Sequence, residues 1–185
     1  MKKVSVITRK SVSHNIYVTP KIETAERKIE SVTLLLSALL SNEISLYVKT
    51  RRFDWNVSKV NSLEMHKLFQ FQYVQLEKSI KEITQRINKL GSRSVNTMNE
   101  ILRLSPINEA PKHYPGSKGM IRDLLADHET AIANLRNDIG VIFEKYNDAD
   151  TADFLIFRME AHEVMAQFLR RANLSQRSLP DYLYN

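Results

Sequence analysis

Phe69, Tyr73, Leu76, Ile80, Ile83, Ile87 and Leu90 recur at spacings of 4-3-4-3-4-3. A stripe sustained over three heptads demands one long helix, and its apolar seam demands other helices to cover it. The rest of the chain agrees with an all-α answer. Only 4 Gly and 5 Pro occur in 185 residues, too few for a turn-rich β fold. The length suits one domain with a sizeable core, and 43% apolar with 26% charged residues is an ordinary globular balance. Cysteine is absent, which excludes disulfides, thiolate metal ligands and a cysteine nucleophile. Any metal would have to be held by histidine or carboxylate.

Apolar periodicity predicts three more long helices. The first starts near Thr24 and runs to about Phe53, with Ile29, Val32, Leu36, Leu40, Ile44 and Tyr47 on one stripe. The second, which carries the seam, starts near Ser62 and ends at Gly91. Residues 92–117 form a long connection. Within it TMNEILRLS (97–105) reads as a short helix, with Thr97 and Glu100 as a capping box. Pro106, Pro111 and Pro115–Gly116 then interrupt regular structure. The third long helix covers about Gly119–Tyr146, NDAD (147–150) is a turn, and the fourth covers about Thr151–Ala172. The expected domains are a basic arm (1–22), a bundle (23–174) and a tail (175–185). Connections that run short, long, short predict an up–down–down–up four-helix bundle of the ferritin-like kind, with a short extra helix in the crossover between helices two and three. A cytokine-like bundle would need two long crossovers. A helical module that only binds partners is the other alternative.

The net charge of +6 is unevenly placed. Lys2, Lys3, Arg9, Lys10 and Lys21 give the first 22 residues +5 with no acidic residue. A basic arm beside a near-neutral body suggests a polyanion such as DNA, with Lys2, Lys3, Arg9 and Lys10 as candidate phosphate contacts; a solvated tail is the plain alternative. No secretory h-region is visible at the N-terminus. The apolar run VTLLLSALLS (32–41) is too short to span a bilayer and meets Asn42 and Glu43. A cytoplasmic protein with no membrane partner is expected.

Catalytic motifs are missing: there is no glycine-rich phosphate loop, GxSxG or HExxH. His14 and His113 fall in irregular segments. His128 and His162 fall on inward stripes and read as satisfied core histidines rather than ligands. Glu160 with His162, and Glu64 with His66, are spaced i, i+2 and face different ways, so a di-iron centre inside one bundle is not expected. Asp148, Asp150 and Asp153 crowd the start of the last helix. Capping explains them; three copies about an axis would instead form an acidic cation entry.

Several stretches together resemble the Dps family, the mini-ferritins or DNA-binding proteins from starved cells. They are KTRRFDWNV (49–57), His66 twelve residues after Asp54, EITQRINKLG, TMNEILRLS, MIRDLLADHETAIANLR and DADTADFLIFRMEAHEVMAQFLR. The similarity covers about residues 30–172. It implies a hollow dodecamer that oxidises Fe(II) with peroxide, stores ferric iron and binds DNA through basic arms. It also implies a ferroxidase centre shared between two subunits. One subunit supplies the histidine of an HWN motif, a histidine twelve later and an acidic residue four beyond. The other supplies an aspartate and a glutamate four apart. Carried onto this sequence, those positions are Asp54, His66, Gln70, Lys81 and Gln85.

Only His66 is kept as the family has it. Lysine has no acceptor and glutamine amides are weak neutral ligands, so the usual inter-subunit ferroxidase site is expected to be lost or weakened. Iron there should be bound weakly or not at all, with Asp54 and His66 as the remaining metal candidates. In the family's geometry Asp54 and the Lys81 position of a neighbouring copy face each other, and an inter-subunit salt bridge between them is expected.

Overall fold

The computed structural model describes residues 22–57, 62–95, 97–105 and 115–177, and these form five helices: α1 (Ile22–Trp55), α2 (Ser62–Lys89), α3 (Met98–Leu104), α4 (Ser117–Glu144) and α5 (Ala149–Arg177). The all-α bundle with a short helix in the long crossover is what the periodicity predicts. Boundaries shift by a few residues: α1 starts at Ile22, α4 at Ser117, and α5 runs from Ala149 to Arg177. The last of these carries helix past the expected bundle limit at 174. Lys2, Lys3, Arg9 and Lys10, and with them residues 1–21 of the arm, lie outside the described residues.

Local signals explain the helix ends. Gly91 takes φ 78°, a left-handed conformation that glycine adopts without a Cβ penalty, and Ser92 N–H donates to Ile87 O at 3.3 Å to close α2. At α3, Glu100 N–H donates to Thr97 Oγ1 and Thr97 N–H to Glu100 Oε2, both at 3.2 Å, which is the expected capping box. The turn before α5 places Asn147 at φ 47°, where asparagine is one of the few tolerated side chains.

Helix α1 packs on α2 and α4 on α5; α3 lies against α1, and contacts of α1 with α4 and α2 with α5 close the bundle. The core has two apolar ends. One gathers Leu36, Leu40, Ile83, Ile87, Leu135, Ile142 and Leu155. The other gathers Leu46, Phe53, Phe69, Leu76, Ile121, Leu124 and Leu169. Truncating Phe69, which is fully buried, should cost about 3–5 kcal/mol.

Length and composition alone would let residues 25–55 of α1 cross a membrane, against the expectation drawn from the shorter run 32–41. The run continues past Glu43 because Ile44, Ser45, Leu46, Tyr47 and Val48 carry no charge. In the bundle, the apolar face of α1 is core: Val32, Leu36, Leu39, Leu40, Leu46 and Phe53 are all buried.

Candidate functional site

Three places carry chemistry. The first is where α1 ends. Asp54 Oδ1 lies 2.7 Å from His66 Nδ1, so the two expected metal candidates are joined to each other within one chain. The carboxylate is mostly covered while the imidazole side chain is 49% exposed. Beside them, the Arg51 guanidinium lies over Tyr73 at 4.3 Å and over Trp55 at 5.5 Å. Gln70, Lys81 and Gln85 are exposed on the same helix as His66, and helical spacing puts all four on one broad stripe of α2. Gln70, Lys81 and Gln85 therefore share a face with His66, though one chain does not bring Asp54 and Lys81 together. A carboxylate on one ring nitrogen fixes an imidazole's tautomer and leaves the other nitrogen for a ligand.

The second place is the start of α5. Asp148 Oδ1 accepts from Thr151 N–H at 3.1 Å and Oδ2 from Thr151 Oγ1 at 2.7 Å. Arg86 donates to Thr151 Oγ1 at 2.6 Å and sits 3.6 Å from Asp148. Asp148 is thus a helix cap with a cationic neighbour, the plainer of the two roles expected for it. Asp150 and Asp153 are exposed, in a shallow hollow that also contains Lys89, Arg86 and Arg158.

The third lies between the two apolar ends of the core. Glu43 of α1, His128 of α4 and His162 of α5 are buried and form a chain. His162 Nε2 is 2.7 Å from Glu43 Oε1, and His162 Nδ1 is 2.8 Å from His128 Nδ1. His128 Nε2 and Glu43 Oε2 are buried and have no hydrogen-bond partner. Burial holds the His128 pKa well below its usual range, helped by the repulsion it would meet from a protonated His162. Alongside, Lys49 Nζ pairs with Asp127 Oδ2 at 2.6 Å. Burial raises the Asp127 pKa despite that lysine. The reading of His128 and His162 as satisfied core residues therefore fits His162 and fails for His128, which keeps one nitrogen unmet. Among the described residues no group of three or more His, Cys, Asp or Glu side chains is placed to hold a metal ion.

Glu43 is the residue that sequence reasoning passed over, treating it as the end of an apolar run. Its signal was positional. It falls seven residues after Leu36 and three before Leu46, on the stripe that the helix buries. Three polar residues on the inward stripes of three helices must share the core.

The fold agrees with what known proteins show. The chain belongs to the ferritin-like family, whose domain matches residues 33–174. It is 33% identical over 141 residues to an uncharacterized low temperature-induced protein of Nostoc sp., covering 76% of this chain and 79% of that one. It is 29% identical over 111 residues to DNA protection during starvation protein 2 of Bacillus anthracis, covering 60% of this chain and 75% of that one. In structure it is similar to Dps from Thermosynechococcus elongatus, with a TM-score of 0.75 at 20% identity over 88% of this chain and 99% of that one. Within the ferritin-like family it is similar to Dps proteins in sequence and in fold.

Proposed function

We propose that the chain assembles into a hollow Dps-type shell in the cytoplasm. The shell sequesters iron and protects against starvation and oxidative stress, with little or no ferroxidase activity between subunits. The observation that carries this reading is the ferritin-like match across residues 33–174 together with a relative that protects DNA during starvation. Large apolar side chains left in solvent, among them Leu34, Leu102, Phe143 and Phe157, support association with further copies. Iron is cargo in this reading. The residues at the family's inter-subunit positions do not fit a di-iron centre: Asp54 and His66 could ligate, but Gln70, Lys81 and Gln85 supply neither carboxylate nor imidazole. Lys81 of a neighbouring copy would instead meet Asp54.

Light scattering on the purified protein should give twelve times the chain's own mass. A monomer or dimer would defeat the shell. Fe(II) oxidation followed by absorbance should be slow with peroxide and rise at least tenfold when Asp54→His, Gln70→Glu, Lys81→Asp and Gln85→Glu are combined. A fast parent protein would show that the substitutions do not silence the site.

The basic arm favours a second role, DNA binding without catalysis. Retention of DNA should then fall with salt by a slope of about 0.9 per phosphate neutralised, and be lost when residues 1–21 are deleted. Salt-insensitive binding, or binding that survives the deletion, would remove this role.

A further inference from the structure

Between α1, α3 and α4 lies a cavity of about 420 Å³, a volume in the range of small-molecule sites. Leu35, Leu39, Leu46, Leu104 and Leu135 make its wall mostly apolar. The polar part of the wall is short of donors. Asn42 Oδ1 and Glu43 Oε2, from neighbouring residues of α1, are buried and have no hydrogen-bond partner. The imidazoles do not meet Oε2: His162 Nε2 reaches Oε1 instead, and His128 does not line the cavity. While Glu43 is ionised, Oε2 is a bare acceptor however the two rings are protonated. The unmet Nε2 of His128 stands at the other end of the buried chain and takes no part.

The charge is unmatched as well. Two carboxylates, Glu43 and Asp138, line the cavity against one guanidinium, Arg103. Lys49, the buried cation of α1, is committed to Asp127. Burial raises the Asp138 pKa although Asn137 donates to its carboxylate, so this wall disfavours further negative charge. Buried polar atoms in native proteins are nearly always satisfied, and exceptions point to a water or an ion. Water would supply donors. A cation supplies donors and the opposite charge, and the second matters for a carboxylate that is 1% exposed. Among the described residues no group of three or more His, Cys, Asp or Glu is placed to hold a metal ion, so the cation that fits is organic.

We propose that this cavity binds a small organic cation, a primary ammonium on a short apolar stem, with its head at Glu43 and Asn42 and its stem among the leucines. An ammonium carries three N–H donors and one positive charge, which is what the polar wall lacks. The stem covers Leu39, Leu104 and Leu135, apolar surface that water wets at a cost. An anionic ligand would meet Glu43 and Asp138 and is disfavoured. The lining residues all come from one chain, so the site does not depend on assembly, on Asp54 and His66, or on iron oxidation.

The test titrates the full-length protein by calorimetry with two probes, hexylammonium chloride and its neutral counterpart hexan-1-ol, near neutral pH where the amine is charged. The expected result is one hexylammonium per chain, bound about tenfold or more tighter than the alcohol. Glu43→Gln keeps the shape and removes the charge, and should bring the two probes within about threefold of each other. Ala38→Phe fills the cavity from its α1 wall and should abolish binding of both. Circular dichroism identifies which variants keep the helical fold, and either one alone decides the matter. The proposal is overturned if hexylammonium gives only its heat of dilution, if it binds no tighter than hexan-1-ol, or if a folded variant binds it as tightly as the parent. In the first two cases water alone meets Glu43 and Asn42; in the third the amine sits elsewhere.

Discussion

Two carboxylate–imidazole pairs occur in this molecule at the same 2.7 Å separation, Glu43–His162 in the core and Asp54–His66 at the surface. Their surroundings differ completely. The first pair is 1% and 2% exposed, while His66 in the second is 49% exposed. Equal distances therefore do not mean equal energies. In the core, water cannot replace a lost partner, so the pair is expensive to break. At the surface, solvent screens the attraction and takes over when one partner leaves. The core pair is tied to a third group; the surface pair is free to take one from outside.

The largest expected effect comes from breaking the core pair. Glu43→Ala should lower unfolding stability by about 3–5 kcal/mol, read from denaturant midpoints. A loss below about 1 kcal/mol would mean that the layer is wet and the contrast between the pairs is false. Lys49→Ala comes next, at about 1–3 kcal/mol, because it leaves Asp127 partly buried beside the same layer. Asp127→Asn/Lys49→Met should recover part of that loss, since the burial that raises the Asp127 pKa opposes its charge.

Acid gives a third, graded test. His128 stays neutral in the folded chain, because burial depresses its pKa well below 6.5. The unfolded chain takes up that proton near pH 6.5, so it binds more protons than the folded chain below this value. Stability should therefore fall as pH drops from about 7 towards 5, and His128→Asn should flatten that slope. Asp127 works with the opposite sign: its raised pKa lets the folded chain take a proton first, which favours the folded state as pH falls towards 4. A slope that His128→Asn leaves unchanged would assign the acid sensitivity elsewhere.

The smallest effect belongs to the surface. His66→Ala should cost at most about 1 kcal/mol in a dissociated chain. If Asp54→Ala costs clearly more in the assembled protein, and Lys81→Ala costs the same without adding to it, the two residues meet across an interface. Independent, small effects would leave Asp54 to His66 alone.

Much of this was legible in the order of residues. The 4-3 seam of α2, the capping box of Thr97 and Glu100, and Gly91 as a helix stop are local signals, because each depends on residues within a turn or two. The same holds for Asp148, whose cap on Thr151 spans three residues. That Gln70, Lys81 and Gln85 share one face of α2 was legible too, since helical spacing decides it without reference to any other helix.

What the sequence could not rank was Glu43. Read along the chain, it interrupts an apolar run and looks like the point where a buried stretch meets solvent. Its partners are 85 and 119 residues away, and no local rule joins them. Only the packing of α1 against α4 and α5 removed water from all three groups at once. Local periodicity determined the helices; their packing decided which charges lost solvent, and so where this chain holds its least satisfied chemistry.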